Sequence, residues 1–351
     1  GGCGGWVWTD DGPCCRCAAE GVGGGAFAVQ VQDPHLWTTH ALDIIATPAH
    51  DVRAACRPWG LGGWIGPPPS KSSKGSPEAG LSEAGPGLEG SGSEGLWAFR
   101  AGDRKVLSVG SLHDVSHDAA RAAWGRDKAW IADFLPEAGP GRVFVAVGGA
   151  TRSCRLSGED VRLALDNLWR SCGSLPDRPG FVISLSRRSG SDIAHAVSAW
   201  ARATPPGRVW VYDPRDSPAH PRGDTPARGG GGGLQPNPYL AMLGGAQAVA
   251  VTADSVGMAS EAASAGCRVV LTIGEAKCSG KIARFHSLLR EVAGTERAEH
   301  VTEAHAASWF SHAGAPSRAR LEDTKRVAEV VLARFALHRR LRRETTEASP
   351  L

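Results

Sequence analysis

Apolar residues along the chain fall into short runs separated by longer amphipathic stretches, and this alternation becomes regular after residue 140. "RVFVAVGG" (142–149), "GFVISLS" (180–186), "RVWVYD" (208–213), "AVAVTAD" (248–254) and "RVVLTI" (268–273) are apolar runs of buried-strand type. Between them, "SGEDVRLALDNLWRSC" (157–172) repeats Val161, Leu163, Leu165 and Leu168 at roughly helical spacing behind Ser157, a suitable cap. "DIAHAVSAWARA" (192–203), "NPYLAMLGGA" (237–246), "GMASEAASAG" (257–266) and "SGKIARFHSLLREVAG" (279–294) also read as helices, with Asn237 at a cap and Pro238 at the first helical position. A last helix over 321–343 carries Val327, Val330, Val331, Phe335 and Leu341 as an apolar stripe.

Strand alternating with helix predicts an α/β fold, a parallel sheet covered by helices on both faces. Upstream, "AFAVQV" (26–31), "ALDIIATPAHD" (41–51) and "KVLSVGSL" (105–112) add three strands of the same kind, and Ser116 or Asp114 is placed to cap a helix after the third. Residues 66–95 and 214–235 are rich in Gly and Pro without periodicity and read as flexible insertions. The expected organisation is an irregular start over 1–25, a partial N-terminal Rossmann-like domain over 26–135, a C-terminal Rossmann-like nucleotide-site domain over 140–320, a closing helix over 321–343 and a tail over 344–351. The opening "GGCGGWVWTDDGPCC" has no initiator Met and reads as an incomplete start.

Composition changes the picture little. A 42% hydrophobic and 21% charged chain is of the globular type, and a net charge of +3 provides no strong field for nucleic acid. The twelve Trp form no basic-aromatic strip, so nucleic acid is not an expected partner. Of the nine Cys, Cys3, Cys14, Cys15 and Cys17 cluster near the start without a second pair at zinc-type spacing, and the cysteines are expected to be reduced thiols. No apolar run reaches the length of a membrane span.

Candidate chemistry gathers at the carboxyl ends of the strands, where ligands sit in open α/β sheets. Asp254 and Ser255 stand where an apolar strand stops and a helix begins, a natural seat for phosphate. Glu261, further along that helix, is within reach of a sugar hydroxyl. Caps explain Asp254 and Ser255 equally well without a ligand. Gly148, Gly149 and Thr151 follow the 142–149 run, and Arg187 and Arg188 follow the next, where they could fork onto a phosphate or simply face water. His113 and His117 are spaced i, i+4 without a third ligand, so no metal site is expected. His113 and His50, each at a strand end, are weak candidates for a general base.

"NPYLAMLGGAQAVAVTADSVGMASEAASAG" followed by "GEAKCSGKIARFHSLLRE" resembles the ELM family of mitochondrial fission proteins and its bacterial relatives. Asn237, Pro238, Lys281, Phe285 and His286 belong to that pattern. "VQVQDPHL", "DIIATPAHD", "VLSVGSLHDV", "VGGATRSCRLSGEDV" and "ISLSRR" extend the likeness over most of residues 26–294. The resemblance implies a GT-B-like architecture of two Rossmann-like domains facing across a cleft. It implies an adaptor in the cytosol and on the cytosolic face of the mitochondrial outer membrane that helps recruit a dynamin-related GTPase. The basic end of the last helix, "HRRLRR" (338–343), is suited to its helix dipole and to peripheral contact with anionic lipid. Similarity to GT-B glycosyltransferases implies instead a nucleoside diphosphate-sugar at Ser255 (diphosphate) and Glu261 (ribose). A third reading keeps that nucleotide only as a stabiliser of the fold. The family begins with a further strand and glycine-containing loop that this chain lacks, so the N-terminal domain is expected to be incomplete.

Overall fold

The computed structural model describes residues 5–9, 12–14, 27–31, 43–49, 105–215, 237–311 and 320–347. His50, residues 66–95 and most of 214–235 lie outside them. The chain divides into two compact units, one formed by residues 1–108 with 325–351 and the other by residues 109–324.

The first unit holds a sheet of five strands: β1 (Gly5–Thr9), β2 (Gly12–Cys14), β3 (Phe27–Val31), β4 (Ile44–Pro48) and β5 (Lys105–Ser108). Their order is β2-β1-β3-β4-β5. β3, β4 and β5 run parallel, as their apolar runs predict, with Val29 beside Ile44 and Ile45 beside Lys105. β1 and β2 depart from the irregular start read from the sequence. They form an antiparallel pair in which Thr9 faces Gly12, and β1 also pairs antiparallel with β3. The local signal was present: a Trp-Val-Trp-Thr run of strand-forming residues, then Asp-Gly. The last helix also gives residues to this unit. The rings of Phe335 and His338 each stand 5.5 Å from that of Phe27, which is buried.

The second unit is built on a six-stranded, all-parallel sheet. Its strands are β6 (Arg142–Val147), β7 (Gly180–Leu185), β8 (Val209–Tyr212), β9 (Ala248–Thr252), β10 (Val269–Ile273) and β11 (Glu296–Arg297). They lie in the order β11-β10-β9-β6-β7-β8. Every residue of β6, β7, β9 and β10 is buried, which is why these strands read as unbroken apolar runs. β6 starts the sheet, the chain winds outward through β7 and β8, then returns to β6's other side for β9 to β11. The winding direction therefore reverses between β6 and β9, the topological switch point where such sheets bind ligands. β11, two residues long, carries too little pattern to be read from sequence.

Helices cover both faces. Val143, Val145 and Val147 point to one, where α2 (Gly158–Gly173), α3 (Ser191–Ala203) and α7 (Glu303–Phe310) close the main core with Leu165, Leu168, Val197, Trp200 and Trp309. The other face takes α4 (Tyr239–Gly245) and α5 (Val256–Ala265), flanked by α1 (His117–Ala132) and α6 (Gly280–Ala293). The caps follow the sequence closely. Ser157 and Asp160 form a capping box on α2, and Ser116, not Asp114, caps α1. Asn237 Oδ1 accepts from Tyr239 N–H at 3.0 Å, so Pro238 lies at the helix boundary, one place before its expected position.

The boundary between units also moves. The sequence assigned residues up to 135 to the first domain, but α1 packs against α4 in the second unit. The cause is a pair of glycines: a Cβ on Gly244 would stand 2.0 Å from Ala120 O, and one on Gly245 2.2 Å from the Trp124 ring. The preceding loop is bound to α5, with Ser111 N–H donating to Ser260 Oγ at 3.0 Å. The last helix, α8 (Asp323–Glu347), starts in this unit. The buried carboxylate of Asp323 there accepts the N–H groups of Val109 and Gly110 at 2.8 and 2.7 Å.

If the α1–α4 contact is set by the missing Cβ atoms, Gly244→Ala should lower unfolding stability by about 3 kcal/mol through overpacking against backbone. Gly173→Ala, where no atom lies within 4 Å of the added Cβ, should be neutral or slightly stabilising. Denaturant unfolding of both variants checks this.

Candidate functional site

The loops after β6, β7 and β9 meet at the switch point. Gly148 N–H donates to Thr252 Oγ1 at 2.7 Å, and Gly149 N–H donates to Asp254 Oδ2 at 3.0 Å. The Ser189 hydroxyl is shared between the carbonyls of Val147 (2.9 Å) and Gly148 (2.7 Å). The Gly-Gly pair is required by this closeness. A Cβ on Gly148 would stand 2.4 Å from the Asp254 carboxylate, and one on Gly149 2.1 Å from Arg188 O. The sequence suggested a turn that would admit a phosphate; the structure fills that space with its own carboxylate and backbone.

Asp254 is 5% exposed, and its Oδ1 is buried without a partner. Burial pushes its carboxyl above the ordinary value. The N–H of Gly149, the hydroxyl of Thr252 and the nearby charge of Arg188 oppose that shift without cancelling it. The next residue, Ser255, is also 5% exposed and caps α5, its Oγ accepting from Met258 N–H at 3.4 Å. At Gly257, in the first turn, an added Cβ would meet nothing closer than Ser111 Oγ at 3.9 Å.

Glu261 is engaged from within the unit, since the Tyr239 hydroxyl donates to its Oε2. Burial, followed by the charge of Glu261, holds the Tyr239 phenol well above its usual range. Tyr239 follows the Asn237-Pro238 pair, but its role as the partner of Glu261 was not legible in the sequence. Thr151 Oγ1 accepts the N–H of Cys154 at 3.1 Å and stabilises its own turn. Arg187 and Arg188 are exposed beside the Gly-Gly loop.

The family-motif residues on α6 act from behind this edge. Phe285 and His286 are fully buried. His286 Nε2 meets the carbonyl of Ala253 at 2.7 Å, fixing the backbone just before Asp254. Burial lowers its imidazole below the ordinary value, so it stands there neutral, as a Nε2–H donor. Lys281 is exposed on the same helix. His113 Nε2 lies 3.3 Å from Ser264 Oγ, and His117 Nδ1 lies 2.9 Å from Ala265 O. Among the described residues no group of three or more His, Cys, Asp or Glu side chains is placed to hold a metal ion.

Two features on this edge were missed. Glu275, after β10, is 7% exposed and paired with Arg290 and, at 3.2 Å, with Arg297. Burial alone would raise its carboxyl; the two guanidiniums and the Thr272 hydroxyl overcome that and bring it down to about 2. The second feature corrects the expectation of reduced thiols: Cys154 and Cys278 are joined in a disulfide, while Cys172 is a free, buried thiol. Their separation of 124 residues hid the pairing from any spacing rule.

A family model described as Mitochondrial fission ELM1 matches residues 13–335. The Mitochondrial fission protein ELM1 of Arabidopsis thaliana is 27% identical over 289 residues, covering 79% of this chain and 51% of that protein. The chain thus spans about half the length of the curated relative it matches. Similar solved structures include a UDP-GlcNAc 2-epimerase from Neisseria meningitidis (14% identity, 67% of this chain and 57% of that one, TM-score 0.38). Another is a UDP-forming α,α-trehalose-phosphate synthase from Burkholderia xenovorans (12% identity, 64% and 48%, TM-score 0.36). At these TM-scores the superpositions are partial, and the strand order and register above describe the fold.

Because burial raises the folded-state pKa of Asp254, its contribution to stability is complete at low pH and is lost as pH rises through the raised value. Asp254→Asn keeps an acceptor for Gly149 without the charge. Its stability relative to wild type should therefore grow as pH increases from about 4 towards neutrality. Denaturant unfolding across that range measures the difference; a constant offset would contradict the assignment.

Proposed function

The chain belongs to the mitochondrial fission ELM1 family, and from that premise we propose that it acts as an adaptor, a docking scaffold that helps recruit a dynamin-related GTPase. The proposed place of action is the cytosol and the cytosolic face of the mitochondrial outer membrane, with peripheral membrane contact. No described helix is long and apolar enough to cross a membrane.

One observation favours the scaffold. Four of the polar groups expected to meet a ligand are engaged within the unit, Asp254 by Gly149, Ser255 by the N-terminus of α5, Glu261 by Tyr239 and Thr151 by Cys154, while Arg187 and Arg188 stay exposed. A catalyst holds its groups ready for substrate, whereas here each of those four already satisfies a neighbour of its own chain. The alternative, a nucleoside diphosphate-sugar-dependent glycosyltransferase, has its own support. Asp254 Oδ1 is buried and unpartnered beside the start of α5, and Gly257 leaves that start uncrowded. In that reading Ser255 and the α5 N–H groups take the diphosphate, Glu261 exchanges Tyr239 for the ribose, and Arg187 and Arg188 neutralise charge.

Two measurements on the purified full chain separate the readings. The adaptor predicts co-sedimentation with a purified dynamin-related GTPase and no titration heat with UDP, GDP or their sugars. The enzyme predicts nucleotide binding in the micromolar range, about −8 kcal/mol, weakened at least about tenfold by Glu261→Ala. Failure to bind the GTPase would remove the adaptor reading.

A further inference from the structure

We propose that Cys154 and Cys278 form a reversible dithiol–disulfide clasp over the switch-point edge, opened and closed by exchange with a low-molecular-weight monothiol of the glutathione class. The topology supplies the argument. β9 lies between β6 and β10 in the sheet. The loops that follow β6 and β10 reach towards each other past the end of β9 and pair antiparallel at Cys154 and Cys278. Arg155 N–H donates to Lys277 O at 3.2 Å, and Ser279 N–H donates to Ser153 O at 2.7 Å. Beneath the pairing, Ala253 forms a small apolar cluster with Cys154, Leu156 and Cys278, separate from the main core. The clasp thus covers the residue just before Asp254 and anchors the loop whose Gly149 binds Asp254.

The non-covalent closure is slight: those two backbone bonds, the small cluster, a 3.4 Å Lys277–Asp160 ion pair and a weak Ser279 hydroxyl contact to Ser153 O. The covalent bond therefore governs whether the loops stay together. It joins residues 124 apart, so its loss releases a long loop in the unfolded chain as well. Access is asymmetric. Cys154 is fully buried and Cys278 only partly so, which directs exchange to Cys278 Sγ.

The exchange balances as follows. A monothiolate attacks Cys278 Sγ, forms a mixed disulfide there, and displaces Cys154 as a thiolate that takes up a proton. A second monothiolate attacks the mixed disulfide at the monothiol's sulfur and leaves as the dimeric disulfide, freeing Cys278, which is protonated in turn. Two electrons and two protons pass to the protein, and two monothiols become one disulfide; closure is the reverse. The clasp stands whether the edge beneath it is a scaffold or a nucleotide site.

The test uses the full chain in buffers of graded reduced to oxidised glutathione, acid-quenched, alkylated and mapped by mass spectrometry. The Cys154–Cys278 linked peptide should rise and fall with the ratio in one two-electron transition. Reduction should speed hydrogen exchange in 149–157 and 274–281 by at least about tenfold, with α3 unchanged. Cys278→Ser should match reduced wild type even in oxidising buffer, and the wild-type arms stand without it. Thiols alkylated at every ratio, a link that persists at every ratio, or exchange indifferent to reduction would each overturn the proposal.

Discussion

A parallel strand has no solvated face, and that constraint organises the second unit. Each residue of β6 is buried, so helices must lie on both sides of the sheet and every connection must cross over it. Crossovers winding outward from β6 in one direction and then the other leave a gap in helix coverage beside β6, above the ends of β6 and β9. The loops there are free of the main core, and polar side chains can meet in them. Phe144, packed edge-on against Tyr239 at 5.6 Å, connects the two levels: a core residue of β6 supports the phenol that engages Glu261.

The unit fills that gap with its own chain. Gly148 and Gly149 remove the side chains that would keep Asp254 away, so a carboxylate with a raised pKa fills the space beside the backbone. His286 holds the carbonyl just before it, and the Cys154–Cys278 link spans the loops on either side. Burial cost is thus concentrated in a few groups whose partners come from distant parts of the chain. One strand along, the Glu275 carboxyl is shifted the other way, ionised because two guanidiniums offset its desolvation. Two buried acids on one sheet edge, one held towards its neutral form and one towards its charged form, give this edge an uneven electrostatic character.

The sequence by itself determined strands β6 to β10 and helices α1 to α6 of the second unit, and not the short β11 and α7. Strands buried on both faces show as unbroken apolar runs and helices as a period of 3.6, both local signals, and the caps at Ser116, Ser157 and Ser255 act on residues three positions away. The family pattern, carried by short contiguous stretches, was equally legible. Tertiary structure alone decided the rest. That α1 belongs with α4 depends on the space at Gly244, that Glu261 is taken depends on Tyr239 twenty-two residues away, and that two cysteines pair depends on loops 124 residues apart. A residue's type and spacing specify what it is able to bind; which partner reaches it is set by how distant segments pack, and that information is not local to any stretch of the chain.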